Sequence, residues 1–321
     1  MKVISYTATL PKKEKYTPES LKNTTDKLNT LKYFAQGVTA VGDQGIIETD
    51  MQYQPSDVAV MLGWVHEHGK TAAHLQFRQE ILDKQRASGG RTIIADSNLF
   101  LYKNKENPGY WLRYSYDGIF ANTGEYCNQT PDLNRWNLIR THYHLELKPW
   151  RQSGNHILIC LQRDGGWSMA GWDVVDWALK TIVEIRKYSD RVIRVRPHPG
   201  DKRAVKYCDR LLKLCQGRRL TQIEISQSTT SLMQDFENCW AVVNHNSSPG
   251  VAAVIEGIPV ILTDPDRSQA RDVATQGLHR IENLDMPNRD SWIQRISQFH
   301  WSHAELQSGE CWDHMKKWAK I

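Results

Sequence analysis

The chain has 321 residues, a formal net charge of +5 and 9% aromatic residues, a composition that excludes a disordered or collagen-like protein. About two domains are expected at this length. No apolar run reaches the roughly 18–20 residues of a membrane helix, and the first residues lack the apolar core of a secretory signal, so we expect a cytoplasmic protein without a membrane span. The six cysteines are scattered, which disfavours a disulfide framework and a zinc module.

In the first half of the chain, short apolar runs alternate with helical spacing, a pattern that predicts a parallel sheet. Strands are expected at 2–6, 57–62 and 91–95, and helices at 21–41 and 72–86. Residues 99–123 are typical of an irregular or β-rich insert. Residues 128–154 are rich in Pro, Asn and Gly, and we interpret them as the connection between two domains.

The second half alternates more regularly, as in a doubly wound sheet. Strands are expected at 156–161, 191–196, 222–225, 240–243 and 259–262, and helices at 171–188, 201–215, 231–238, 251–256, 266–275, 292–299 and 303–319. The sequence therefore predicts an α/β fold of two facing Rossmann-like domains with parallel sheets. We place the domains at 1–150 and 151–300, with the last segment, 301–321, packing back on the first domain.

Two loops that leave strands of the second domain carry the strongest signals. In the first, Arg196 and His198 alternate with prolines that stiffen the loop, and a fixed guanidinium beside an imidazole suits a diphosphate. In the second, Asn246, Ser247 and Ser248 precede a helix, and such a helix start favours an anion. Ordinary loop structure and ordinary helix capping are the alternatives.

Further ligand candidates follow neighbouring strands. Arg163 can neutralise a phosphate, and Gly165 lets the backbone approach one, although the loop is neither a GxGxxG nor a Walker A sequence. Glu256 and Asp264 are placed to accept hydrogen bonds from sugar or ribose hydroxyls. A glycine turn, a surface glutamate and a helix cap are the respective alternatives.

The first domain offers a candidate general base. His66, Glu67 and His68 follow the strand 57–62, and a carboxylate between imidazoles is suited to take a proton from a hydroxyl. The spacing is not HExxH, so we expect no metal site. Asp96, at the end of the next strand, is the competing base, and a solvated polar loop is the alternative for 66–68.

The positive charge is concentrated in one segment. Residues 186–219 contain twelve Lys or Arg and three Asp or Glu, so the rest of the chain is slightly acidic. One helix there has basic residues at helical spacing, a stripe that suits a phosphate backbone or an anionic lipid. The stripe comprises Lys202, Arg203, Lys206, Arg210 and Lys213. A solvated helix face is an equally good interpretation.

The motifs RPHPG (196–200) and NSSPGVAAVIEGIPVI (246–261) resemble the "HP" and "Ser-Ser" motifs of a set of GT-B glycosyltransferases and related enzymes. The set comprises bacterial capsular Kdo transferases, polysialyltransferases and teichoic-acid glycerophosphotransferases. The resemblance covers roughly residues 156–265. It implies that His198, Ser247 and Ser248 bind the phosphates of a nucleotide donor, here a UDP- or CMP-linked sugar.

Over its whole length the chain is also similar to compact proteins encoded by tailed marine phages. The stretches GWVHEHGKTAAHLQFR, IADSNLFLY and NHILICLQRDGGWSM carry that similarity. Phage GT-B enzymes of this size commonly glycosylate hydroxymethylated pyrimidines in their own DNA. By analogy, the resemblance implies double-stranded DNA as a partner, with the modified base flipped out of the stack.

These observations predict a GT-B glycosyltransferase with a donor-binding second domain and an acceptor-binding first domain. The donor would be a co-substrate, without a tightly bound cofactor or metal, because protein groups would stabilise the leaving nucleotide. The favoured acceptor is a hydroxymethylated pyrimidine, such as hydroxymethylcytosine, in phage DNA. A Kdo-like transferase for surface glycans or lipid-linked sugars, and a non-catalytic protein that binds DNA or a nucleotide-sugar, are the alternatives. We expect a monomer or weak dimer.

Overall fold

The computed structural model describes residues 1–11, 17–65, 72–103 and 106–319. The chain divides into two compact units, each with its own sheet. Unit 1 comprises Met1–Asn98, Glu106–Arg135 and Gln294–Ile321, and unit 2 comprises Leu99–Lys105 and Trp136–Ile293. No helix among the described residues is both long and apolar enough to cross a membrane.

The secondary structure alternates along both units. The strands are β1 (Lys2–Tyr6), β2 (Gln44–Glu48), β3 (Val58–Leu62), β4 (Arg91–Asp96), β5 (Leu112–Tyr116), β6 (His156–Cys160), β7 (Val192–Arg196), β8 (Ile223–Ile225), β9 (Cys239–Asn244), β10 (Val260–Leu262) and β11 (His300–Trp301). The helices are α1 (Pro18–Ala40), α2 (Ala73–Ser88), α3 (Leu133–Tyr143), α4 (Val174–Ile185), α5 (Ala204–Gly217), α6 (Leu232–Asp235), α7 (Pro249–Ile255), α8 (Asp290–Gln298), α9 (His303–Ser308) and α10 (Glu310–Ala319).

The sheet of unit 1 has the order β11-β5-β4-β3-β1-β2. Strands β1 to β4 are parallel, and β5 runs antiparallel to both of its neighbours. Alternate residues of β1 face opposite sides of the sheet. Val3 packs in a cluster with Phe34 of α1 and Trp312 of α10, whereas Ile4 packs with Phe77 of α2. Helices therefore cover both faces, and the strand order changes direction between β1 and β3.

The sheet of unit 2 is parallel throughout, with the order β10-β9-β6-β7-β8. This is the order of a doubly wound Rossmann-like sheet, and in such sheets ligands bind at the carboxyl ends of the strands where the winding reverses. In unit 2 that point lies between β6 and β9. Helix α4 starts at the cap residue Asp173, whose carboxylate accepts from the backbone N–H groups of Val175 and Asp176, and it packs on the apolar core of the sheet.

The predicted α/β class is confirmed, and so are its central strands, with five differences in detail. The first sheet is mixed, because β4 and β5 are joined without the helical crossover that parallel strands need. Strand β2, an exposed edge with little apolar pattern, was not expected. Helix α3 lies within 128–154, where a connection was expected. The predicted helix 303–319 is divided at Gly309, which has the left-handed φ of 92° that glycine tolerates.

The stretch 266–275 was also predicted as a helix. The structure has only two short 3₁₀ turns there, Pro265–Arg267 and Arg271–Val273. Both turns begin without a side-chain cap, and a single turn of helix has too few internal hydrogen bonds to extend by itself.

Candidate functional site

The loops that leave β6 and β9 are hydrogen-bonded to each other at the point where the sheet of unit 2 reverses its winding. The backbone N–H of Asn246 donates to Oε1 of Gln162 at 3.1 Å, and its side-chain Nδ2 donates to the carbonyl of Ser168 at 3.0 Å. Gln162 is 2% exposed and also donates to the Ser168 hydroxyl, at 2.6 Å. Gln162 thus fixes both loops, a role that the sequence analysis did not assign to it.

The loop after β7 joins the same network through Asp201. Its Oδ2 accepts from the backbone N–H of Asp164 in the β6 loop at 2.9 Å, and Arg203 donates to the Asp164 carbonyl at 2.6 Å. Burial alone would raise the pKa of Asp201, but the donated N–H groups of Arg203 and Asp164 hold it below its usual value. Asp201 was not a predicted site residue, although an Asp at a helix start is a recognisable cap.

His198 and Arg163 are brought together by this arrangement. The backbone N–H of Gly200 donates to Nδ1 of His198 at 3.0 Å, so the neutral ring carries its proton on Nε2. Burial lowers the pKa of His198, and the Arg163 guanidinium lowers it further. A Cβ on Gly200 would lie 2.6 Å from Nη2 of Arg163, so the glycine permits this close approach. The pair therefore offers a neutral N–H donor beside a cation.

Arg196, in the same motif, has a different environment. Its Nη1 donates to the carbonyl of Thr230 at 2.8 Å and to the carboxylate of Asp235 at 2.5 Å. Asp235 is 1% exposed and also accepts from the hydroxyl of Ser226, at 2.7 Å. Arg196 compensates a buried charge, which makes it a structural residue of the sheet edge.

The two serines begin α7, and Gly165 lies in the β6 loop with a positive φ of 65°. Ser247 is held by Asn244, whose Nδ2 donates to its carbonyl at 2.8 Å and to its hydroxyl at 3.2 Å. Ser248 is the exposed N-cap of the seven-residue α7 and its side chain makes no cap hydrogen bond. Its hydroxyl is therefore available at the loop surface.

Asp264 lies beside a hydrogen-bonded relay that the sequence analysis did not identify. Trp177 Nε1 donates to the hydroxyl of Thr263 at 2.9 Å, and that hydroxyl is 2.8 Å from Nδ1 of His245. The hydroxyl accepts from the indole N–H and retains both its own proton and a second lone pair for the hydrogen bond with His245. Nε2 of His245 is 3.7 Å from Oδ2 of Asp264, and burial lowers the His245 pKa.

The same oxygen of Asp264 also accepts from Nδ2 of Asn246, at 2.8 Å. Both contacts therefore converge on Oδ2. The structure shows no hydrogen-bond partner for Oδ1 within the described part of the chain, and the Asp264 side chain is 22% exposed. Oδ1 can accept a hydrogen bond from a ligand hydroxyl.

Glu256 is buried away from solvent, at 1% exposure. Its carboxylate is within 2.9 Å of the Lys103 ammonium and 2.5 Å of the Lys148 ammonium, and it accepts from the Tyr102 hydroxyl at 2.8 Å. Burial opposes ionisation, but these three donors hold the Glu256 pKa below its usual value. Glu256 thus attaches the segment 99–105 to unit 2.

The candidate bases belong to unit 1. His66, Glu67 and His68 lie outside the residues that the structure describes. Asp96 ends β4, and its Oδ2 is paired with the guanidinium of Arg113, the residue opposite it on β5.

The fold neutralises much of the basic segment. Arg203 pairs with Asp164, and Arg210 pairs with both Asp173 and Asp176, at 3.0 and 2.9 Å. Lys202 and Lys206 are exposed. Four other basic side chains of the segment are also paired with carboxylates: Lys187, Arg191, Arg194 and Arg196. Six of the twelve basic residues in 186–219 are thus paired with a carboxylate. Nearly all of these carboxylates belong to residues outside 186–219.

Among the described residues, no group of three or more His, Cys, Asp or Glu is arranged to hold a metal ion.

No family model and no curated protein matches the sequence. Solved structures do match. The β-Kdo 2,4 transferase of Thermosulfurimonas dismutans KpsC superposes with a TM-score of 0.54 and 13% identity, over 94% of this chain and 92% of that chain. The β-Kdo 2,7 transferase of the same KpsC gives 0.51 and 14%, over 97% and 98%. This chain shares their GT-B fold. At such low identity the likeness concerns the fold alone.

Proposed function

We propose that the chain is a glycosyltransferase that moves a sugar from a nucleotide-sugar to a hydroxyl of a glycan. The observation that carries the proposal is the joined set of loops after β6, β7 and β9, which presents His198 beside Arg163 where unit 2 reverses its winding. Ligands bind at this place in doubly wound sheets. The shared fold with two Kdo transferases supports the same class of reaction.

In this proposal, unit 2 stabilises the nucleotide as it leaves. Negative charge develops on the phosphate oxygen when the bond to the sugar breaks, and fixed donors aimed at that oxygen lower the barrier. His198 would donate from Nε2, Arg163 would offset the charge, and Ser247 and Ser248 would contribute hydroxyls. Asp264 would accept from a sugar or ribose hydroxyl through Oδ1, which has no partner among the described residues.

The acceptor hydroxyl must lose a proton as it attacks. We propose Glu67, with His66 and His68, as the base supplied by unit 1, and Asp96 as the alternative. Asp96 already has one oxygen paired with Arg113, which favours Glu67.

A DNA acceptor has less support than the charge of the sequence implied. Of the predicted stripe, Arg203 and Arg210 are paired with carboxylates of unit 2, which leaves the exposed Lys202, Lys206 and Lys213 to contact phosphates. A protein that binds duplex DNA by its backbone needs several such contacts. We therefore propose a glycan acceptor in place of hydroxymethylated DNA.

The test incubates the purified protein with pooled CMP- and UDP-linked sugars, and with two acceptor sets: acidic oligosaccharides and DNA that contains hydroxymethylcytosine. Mass spectrometry records sugar added to either acceptor, and chromatography records nucleotide released. We expect sugar on an oligosaccharide, and His198→Ala should reduce transfer about 100-fold or more, the effect of losing one donor to a developing oxyanion.

The matched control is His279→Ala, an exposed histidine of the same unit, which should leave transfer unchanged. Sugar found only on the DNA would replace the glycan acceptor. Neither transfer nor nucleotide release, with every donor and in the presence of an active control enzyme, would contradict the glycosyltransferase proposal.

A further inference from the structure

Unit 1 has a buried cationic cluster at the carboxyl edge of its sheet, which the proposed function does not use. Arg78 of α2 is 8% exposed. Its Nε and Nη2 both donate to the carbonyl of Thr9, which follows β1, at 3.1 and 2.9 Å. Its Nη1 donates to the carbonyl of Trp64, which follows β3, at 2.9 Å. The guanidinium therefore lies across the two strand exits where this sheet reverses its winding.

Every hydrogen-bond acceptor of Arg78 among the described residues is a neutral carbonyl. Burial lowers the pKa of Arg78 to about 10, and Asp96 is the carboxylate whose charge acts against that shift. Asp96 is itself paired with Arg113, which is 9% exposed. Among the described residues, Asp96 is thus the carboxylate that acts on both buried guanidinium groups, and its ion pair is with Arg113.

Among the described residues, no second carboxylate is paired with Arg78 or Arg113. The first turn of α2 contains no acidic residue. It carries His74, whose pKa is lowered by burial and by the nearby Arg78. Nε of Arg113 is buried and has no hydrogen-bond partner in the described part of unit 1. A guanidinium has five N–H donors, and Arg78 uses three in the bonds above.

A buried charge without a partner is costly, and proteins keep such charges paired or bring a ligand to them. The carboxyl edge at a reversal of winding is also the place where α/β sheets bind ligands. We propose that Arg78 and Arg113 form a binding site for an oxyanion, a carboxylate or a terminal phosphate, carried by the acceptor. The identification of that anion as part of the acceptor rests on the proposed function, whereas the anion site itself does not.

A guanidinium suits this role because its planar fork matches two oxygens of a carboxylate or phosphate. Because Arg78 is only 8% exposed, we expect the ligand to be a projecting end group and not the continuous backbone of a nucleic acid. The site would thus select acceptors by one terminal charge, and a neutral sugar of the same shape would bind more weakly.

The test follows the side-chain Nε–H signals of arginine and the ring signals of His74 by NMR in the full-length protein. The probes are sodium phosphate, sodium D-glucuronate and D-glucose at constant ionic strength. We expect a saturable shift of the Arg78 signal with at least one of the two anions and none with glucose. The bound anion should also raise the pKa of His74. A response to glucuronate alone assigns a carboxylate, and a response to phosphate alone assigns a phosphate.

Two variants separate binding from folding. Arg78→Lys keeps the positive charge but removes the planar pair of guanidinium N–H donors. We expect at least tenfold weaker anion binding and an unchanged backbone amide spectrum. Arg86→Gln, an exposed position of the same helix, should bind as the parent protein does. The proposal is overturned if neither anion shifts the Arg78 signal at constant ionic strength, or if Arg78→Lys leaves the His74 response unaltered. These outcomes do not depend on sugar transfer, so they are distinguishable from failure of the proposed function.

Discussion

Each unit buries a cluster in which two cations meet one carboxylate, and the two clusters differ in what surrounds the cations. In unit 2, Glu256 is paired with Lys103 and Lys148, whose side chains are 25% and 43% exposed. In unit 1, Asp96 is shared by Arg78 and Arg113, whose residues are 8% and 9% exposed. The lysines of unit 2 are partly open to solvent, whereas both guanidinium groups of unit 1 are buried, and Asp96 is the carboxylate that acts on them among the described residues. The first cluster is complete by itself, and the second is suited to take up an anion.

The largest effect expected from this comparison is that of removing the acid of unit 1. Asp96→Asn leaves two buried guanidinium groups without a carboxylate, and we expect a loss of about 3 kcal/mol in the free energy of unfolding. Urea denaturation of the variant and the parent measures it. Phosphate should restore part of the loss, because it supplies the missing charge.

The control for this variant is Asp83→Asn, an exposed carboxylate on α2 that should change stability by less than about 0.5 kcal/mol. An Asp96→Asn protein as stable as the parent would mean that the cluster of unit 1 is already compensated.

Removal of the Glu256 carboxylate from unit 2 should lower the free energy of unfolding by less than removal of the Asp96 carboxylate does. Glu256→Ala is expected to lower the free energy of unfolding by about 2 kcal/mol, because Lys103 and Lys148 regain water when their partner is lost. The same denaturation assay applies. The surface pair of Glu184 with Lys187 is the matched control, since Glu184→Ala should have an effect below about 0.5 kcal/mol. A Glu256→Ala loss as large as that of Asp96→Asn would remove the contrast between the clusters.

The cationic character of unit 1 also predicts a pH dependence. Burial, together with Arg113 and Arg135, lowers the pKa of His300 well below 6.5. The unfolded chain therefore binds the proton first, so stability is complete above about pH 6.5 and decreases below it, by up to about 1.4 kcal/mol per pH unit. His300→Asn, which retains a donor for the carbonyl of Ile296, should flatten this slope in thermal denaturation between pH 5 and 7. An unaltered slope would assign it to other groups.

The sequence predicted the fold best where a strand is buried on both faces. Strand β3 is an apolar run of five residues, four of them buried. Strand β6 has four apolar residues after His156, and all five of its residues are buried. Such patterns have few alternatives. Strand β2 is an exposed edge, and β11 has two residues that belong to unit 1 only through contacts made across most of the chain. The local sequence pattern cannot predict a strand that forms only through pairing with a distant part of the chain.

The site divides in the same way. His198 was predictable because two prolines and a glycine around it specify the loop, whereas the role of Arg196 depends on Asp235, which lies 39 residues away. The alternation of residues in β7 partly predicts this role. It places Arg194 and Arg196 on one face of the sheet, where partly buried arginines are expected to pair with carboxylates. The basic segment misled for the same reason, because its acidic partners come from other elements of unit 2.

The attachment of residues 99–105 to unit 2 has a consequence for dissecting the chain. Because Tyr102 and Lys103 bind Glu256 while the sequence on both sides belongs to unit 1, no single cut yields two complete units. A fragment that starts at Trp136 lacks the segment 99–105 of unit 2, which we call the strap. In that fragment Glu256 has lost its contacts with Tyr102 and Lys103. Separate expression of unit 2 therefore requires a circularly permuted chain, or complementation with a peptide that carries this strap.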